Sequence, residues 1–145
     1  MKYLLFSIIF FILNSSFSED YVMESSSRTI SMELTTNDKF SYKHIEIDGR
    51  WKDSRGEYGL NKCYGHIKSE NNIIDLEAFC EKVDSKGDKA WFTIKRNTEM
   101  QAGVGISTYM AATGKYENLI GLRCNYAVKY YDKEFNFYMH KCKLK

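Results

Sequence analysis

Tyr126, Tyr138 and His140 are the residues whose types and spacing best suit chemistry. Imidazole is the side chain that changes charge near neutral pH, and a phenol can both donate and accept a hydrogen bond. Tyr138 and His140 lie two apart, so on a strand they share a face. A three-residue turn centred on Lys133 sets Tyr126 directly opposite His140 and gives the group a common side of a hairpin. No nucleophile sits beside His140 in the sequence, so proton transfer or hydrogen bonding to a ligand is the chemistry on offer. A second polar set, Tyr42, His44, Glu46, Asp48 and Arg50, shares one face of an earlier segment. Its continuous polarity reads as an outer, solvated surface, and Glu46 or Arg50 would join a site only if a bulge turned them inward.

The cysteines give the next constraint. There are four, Cys63, Cys80, Cys124 and Cys142, and none forms the closely spaced pair typical of zinc ligands. Neither a metal nor a cofactor is expected. If Asn71-Asn72 is a two-residue hairpin loop, Cys63 falls opposite Cys80. The same register sets Lys68 against Asp75, His66 against Glu77 and Lys62 against Glu81, with Tyr64 against Phe79. It also pairs Ile67 with Leu76 and Gly65 with Ala78 on the face expected to look inward, together with Gly59 and Asn61. The turn at Lys133 likewise places Cys124 opposite Cys142. Two local bridges, Cys63 to Cys80 and Cys124 to Cys142, are the preferred pairing, while two other connectivities remain open on counting alone.

Bridged cysteines imply an oxidising compartment, and the start of the chain agrees. One cation, Lys2, precedes an apolar run through Leu13, followed by Ser16 and Ser18 where a signal peptidase reads. An apolar stretch of about 11 residues is too short for a membrane core that needs roughly 20. Residues 1–18 are therefore expected to be a signal peptide cleaved near Ser18, leaving a secreted or periplasmic protein without stable membrane insertion. Losing Lys2 leaves 20 basic against 19 acidic residues, interspersed along the chain. That balance excludes an electrostatic footprint for nucleic acid.

The elements that must position these groups read as strands. Proline is absent, aromatics make up 15% of residues, and short apolar segments are broken by Gly, Asn, Asp and Ser. Eight strands are expected, at 29–34, 40–51, 57–68, 73–83, 89–95, 102–111, 119–131 and 135–144. Short connections between them suit an all-β, eight-stranded antiparallel up-and-down barrel, with a β-sandwich as the alternative. The polar, serine-rich residues 19–28 are expected to be a flexible N-terminal arm, and 29–145 the barrel domain.

Two segments carry resemblances. Gly49-Arg50-Trp51 matches the G-x-W of lipocalins, whose tryptophan plugs one end of a barrel. Ala112-Thr113-Gly114-Lys115-Tyr116-Glu117-Asn118-Leu119-Ile120-Gly121 resembles the glycine-bearing turn of the allene oxide cyclase and dirigent barrels. Asp48 to Trp51, Gly56 to Gly59, Gly87-Asp88 and Gly121 to Cys124 look like pieces of small secreted bacterial proteins of that type. Ala112 and Asn118 stand where those families usually carry glycine, and the proline of the cyclase pocket has no counterpart. The resemblance implies an eight-stranded barrel and, as is common in those families, a homotrimer.

Three functional readings follow. The first is a non-enzymatic barrel that binds a small apolar ligand or a protein partner, with Tyr126, Tyr138, His140 and Asn61 as interior contacts. The second is an isomerase or cyclase using His140 or Glu46 as acid or base. The third is a structural envelope protein with a solid barrel, since eight strands leave little room beyond side chains.

Overall fold

A computed structural model describes residues 20–37, 39–98 and 103–144. The expected signal peptide, residues 1–18, lies outside the described residues. Eight strands close into a barrel in which every strand pairs with its sequence neighbours and β1 pairs with β8. They are β1 (Asp20–Asn37), β2 (Phe40–Asp53), β3 (Tyr58–Glu70), β4 (Ile73–Asp84), β5 (Lys89–Asn97), β6 (Val104–Ala112), β7 (Arg123–Tyr130) and β8 (Phe135–Lys143). All pairings are antiparallel. The architecture is the all-β up-and-down barrel that the turn spacing predicts, not a sandwich.

Both hairpin registers are borne out. Asn71 and Asn72 hold φ of 50° and 68°, the left-handed backbone of a two-residue loop. Cys63 then faces Cys80, with His66 opposite Glu77 and Lys68 opposite Asp75 on the outside. At the other hairpin the Tyr131 N–H donates to the Phe135 carbonyl at 2.8 Å, and Tyr126 faces His140. Cys63–Cys80 and Cys124–Cys142 are disulfides, closing loops of 17 and 18 residues. Loops of this length contribute about 3 kcal/mol each in the chain-entropy view.

The N-terminal boundary is a correction. Residues 20–28 are not a loose arm but the first half of β1, laddered to β8 from Asp20 to Arg28 and to β2 from Met23 onward. Their polar composition conceals the strand because two of its serines are buried. Ser25 and Ser27 point inward, their hydroxyls 2.9 Å apart, and the Ser25 hydroxyl donates to the Asn61 carboxamide oxygen at 3.0 Å. This cluster occupies the space a side chain on Gly49 would fill, since a Cβ there would overlap Ser27, Asn61 and Ser25. Inward polar groups are tolerated because they satisfy one another.

A second difference follows β6. Residues 114–119 form a short 3-10 helix, Gly114–Leu119, that turns Tyr116 and Leu119 into the core, so β7 begins at Arg123 and not at Leu119. Gly114 holds φ of 54° against the Asp88 carboxylate, where a Cβ would collide.

Candidate functional site

Position along the strands sorts the interior into two ends. At one, Trp51 is buried and its indole N–H donates to the Leu60 carbonyl at 3.0 Å. Beside it lies Lys82, which is 0% exposed. Its ammonium sits 3.8 Å from the Tyr116 ring centroid, 4.3 Å from Trp51, 5.0 Å from Tyr21 and 5.9 Å from Tyr109. Such a four-ring enclosure partly replaces water through cation–π attraction. Lys82 also donates to the Tyr21 hydroxyl, which in turn donates to the Asp53 carboxylate at 3.0 Å. Burial drives the Lys82 pKa down to about 7, against the pull of Asp53 and Asp84.

The outer layer of this end is equally tied. Asp84 accepts from the Tyr116 hydroxyl at 3.2 Å and pairs with Lys115 at 2.7 Å, while Lys115 also reaches Glu57 at 2.9 Å. Burial works against the Asp84 anion, yet Lys115, the Lys86 and Asp88 N–H groups and Tyr116 hold its carboxyl down at about 2. The Arg55 guanidinium lies over the Tyr21 ring at 5.1 Å. This end is a plug in which Lys82, Tyr21, Tyr116 and Asp84 are partnered, while the buried Tyr109 hydroxyl is not.

His140 occupies the middle of the barrel. It is 0% exposed, ringed by Tyr138 at 4.5 Å, Phe92 at 4.8 Å, Tyr109 at 6.1 Å and Tyr126 at 6.3 Å. Neither ring nitrogen has a hydrogen-bond partner among the described residues. Burial first, and the Lys82 charge second, hold its pKa well below the ordinary histidine value. The imidazole therefore sits in the barrel as a neutral, ring-shaped filler.

The other end is a mouth. Beneath it lies a cavity of about 60 Å³, walled by Ile45, Ile47, Ile67, Leu76 and Ile94, with polar tips from Asn61, Tyr126 and Tyr138. Tyr126 is only 3% exposed, its ring packed over Gly105 where a Cβ would collide. Neither the Tyr126 nor the Tyr138 hydroxyl has a hydrogen-bond partner among the described residues. Burial pushes the Tyr126 phenol up to about 12, opposed by the nearby Arg96 charge. Arg96 itself shares the inward parity of Phe92 and Ile94 and lines the same cavity.

Of the expected contacts, Tyr126, Tyr138 and Asn61 reach the cavity wall, with Asn61 already engaged by Ser25. His140 is not on that wall. His44 and Glu46 lie on the outer face, 3.8 Å apart, and Arg50 is exposed, so no bulge turns this set inward. Arg96 and Lys82 are the residues that sequence reasoning missed. The signal was available: Lys82 shares the parity of Leu76, Ala78 and Cys80, and Arg96 that of Ile94. A cation within an alternating strand is more economically read as the end of the buried run.

Among the described residues no group of three or more His, Cys, Asp or Glu could hold a metal ion, and all four cysteines are bridged. Larger hollows of about 770 and 700 Å³ lie along the outer wall between outward side chains such as Arg50, Leu60, Phe137 and Met139. Comparison with known proteins finds no matching family model, no similar curated protein and no similar solved structure.

Proposed function

We propose that the protein is a non-enzymatic binder that takes a small apolar molecule bearing one acidic group into the mouth of the barrel. The observation that carries this reading is the pair of buried, unpartnered tyrosine hydroxyls on an apolar cavity wall that also presents Arg96. A buried polar group without a partner costs about 1–3 kcal/mol, a cost that a ligand's acidic head would relieve. The head would sit in the corner formed by Tyr126, Tyr138 and Arg96, and the apolar body against Ile45, Ile47 and Ile67. At about 60 Å³ the space holds roughly two water-sized groups, so the ligand is small or enters only in part.

The isomerase reading has less support. Of its two acid–base candidates, Glu46 points outward and His140 is sealed from the cavity by the tyrosine rings. Site of action is a further part of the proposal: we infer export from the cytosol, supported by the two disulfides and by the apolar start of the sequence. Among the described residues no helix is long and apolar enough to cross a membrane. Kinship with the allene oxide cyclase and dirigent barrels is likewise proposed, supported by the Thr113 to Gly121 segment and the up-and-down strand order.

The test is a fluorescence titration with a fluorescent short-chain fatty acid and its alcohol counterpart. The acid is expected to bind, and Arg96→Met to weaken it roughly 10- to 100-fold, the worth of a charged hydrogen bond. The alcohol should bind the parent and the variant equally. If neither probe binds, or if Arg96→Met leaves the acid's affinity unchanged, the reading is lost.

A further inference from the structure

The barrel is closed only along part of β1. Its ladder with β8 ends at Arg28, and the Thr29 N–H makes the last contact on that side, donating to the Glu134 carbonyl at 2.6 Å. Beyond it, from Ile30 to Asn37, only β2 pairs with β1 among the described residues. A strand's backbone N–H and C=O groups alternate sides, so those of Ser31, Glu33 and Thr35 face the open edge as those of Thr29 do. The regular register with β2 holds through Thr35, which keeps this parity intact.

The open edge has little protection. Natural proteins blunt such edges with lysine, proline or bulges, yet between Thr29 and Thr35 the one charge is Glu33, already paired with Lys43 at 3.0 Å. Its outward side chains are Ile30, Met32 and Leu34, exposed at 48%, 65% and 72%.

We propose that this edge pairs antiparallel with the same edge of a second copy, making a two-fold dimer through a continuous sheet. The choice of occupant comes from self-complementarity, which a two-fold contact demands. With Met32 on the axis, Ile30 faces Leu34 of the other copy, Ser31 faces Glu33, and Thr29 faces Thr35. Apolar side chains then meet on the outer face and polar ones on the inner face. The residues brought into hydrogen-bonding positions are the odd-numbered ones, whose backbone groups point at the edge. An axis at Glu33 would set two carboxylates against each other, and an axis at Ser31 would drive Leu34 onto Arg28, where β8 already occupies the edge. The Met32 axis is the longest register that avoids both faults. This inference stands apart from the cavity reading, since none of Ile30, Met32 and Leu34 lines the cavity.

Sedimentation equilibrium of the oxidised chain without its signal peptide is the test. A dimer that dissociates on dilution is expected. Ser31→Pro removes an edge N–H that β2 does not use, so two hydrogen bonds vanish per dimer and the dissociation constant rises ~30-fold. Met32→Glu, which places two carboxylates on the axis, should shift the protein to monomer as well and keeps the test open if the proline variant fails to fold by near-ultraviolet circular dichroism. Met32→Cys should cross-link to its own counterpart on oxidation. A monomer at every concentration overturns the proposal, as does a trimer, or a dimer indifferent to a folded Ser31→Pro or Met32→Glu variant.

Discussion

The two ends of the barrel solve opposite problems with the same kinds of residue. At the plugged end a cation and several tyrosines are brought together: Lys82 donates to the Tyr21 hydroxyl, Tyr21 to Asp53 and Tyr116 to Asp84. At the mouth a cation and two tyrosines are again brought together, but the buried Tyr126 and Tyr138 hydroxyls are left without partners beside empty space. Satisfied polar groups in a dry interior rigidify a structure, whereas unsatisfied ones beside a cavity are a standing cost that a bound molecule can remove. The comparison teaches that polarity inside this barrel is no mark of a site by itself. Unpartnered polar atoms beside empty space are the distinguishing property, since the Tyr109 hydroxyl and the His140 nitrogens are unpartnered too but do not line the cavity.

The sharpest way to break this comparison is to truncate each end in turn. Trp51→Ala should cost about 3–5 kcal/mol in urea unfolding, because it empties a buried aromatic site and strips one wall from the Lys82 enclosure. Thr29→Ala at the cavity rim should cost about 1 kcal/mol, because it removes the acceptor that the Asn136 amide reaches at 2.9 Å. Equal losses at both ends would mean that the mouth is as structural as the plug.

Next in size is the pH response of Lys82. Its pKa is about 7 in the folded protein against an ordinary 10.5, so between those values the unfolded chain binds a proton that the folded chain does not. Stability should therefore rise with pH from about 7 to 10, at about 1.4 kcal/mol per pH unit at most, and level off outside that window. Lys82→Met should flatten that rise, as read from urea midpoints across the range. A slope unchanged in the variant would assign the effect to other groups and leave the enclosure without energetic consequence.

His140 should act on the acid side. Its folded pKa lies well below 6.5, so stability is lost as pH falls below that value and the unfolded chain takes up a proton. His140→Phe should reduce this acid sensitivity while leaving the neutral-pH midpoint close to the parent, since the imidazole nitrogens have no partners to lose. Thermal melts from pH 7 to pH 5 would show it.

The smallest effect is expected at the mouth. Tyr138→Phe removes a hydroxyl with no partner, so unfolding free energy should stay within about 0.5 kcal/mol of the parent, or rise slightly. A loss beyond that, measured by urea unfolding without ligand, would show that the hydroxyl is engaged within the protein and would erase the contrast between the ends.

Much of the fold was legible because hairpin pairing is local. Asn71-Asn72 tolerates the backbone angles of a tight turn, and from that turn the two-residue period carries the register outward to Cys63 and Cys80. The same logic reached Tyr126, Tyr138 and His140. It failed for Ser25 and Ser27, whose inward role depends on Gly49 and Asn61 from two other strands. It also failed for Lys82 and Arg96, since a cation's inward placement depends on neighbours that the strand itself does not supply. His140 shows a subtler limit: its inward face was readable, but its separation from the cavity was not, because Tyr126 and Tyr138 intervene in three dimensions.

What the sequence by itself determined is therefore everything carried by period and turn chemistry: eight antiparallel strands, the inward and outward faces of two hairpins, and the placing of each cysteine opposite the one it bridges. Only the tertiary structure decided how the barrel closes. It zips β1 to β8 as far as Arg28, leaves the rest of β1 paired with β2 alone among the described residues, and makes one end a plug and the other a mouth. The physical reason is that pairing within a hairpin follows from a few adjacent residues. The fate of a buried polar group depends on whichever distant strands bring it a partner, or fail to.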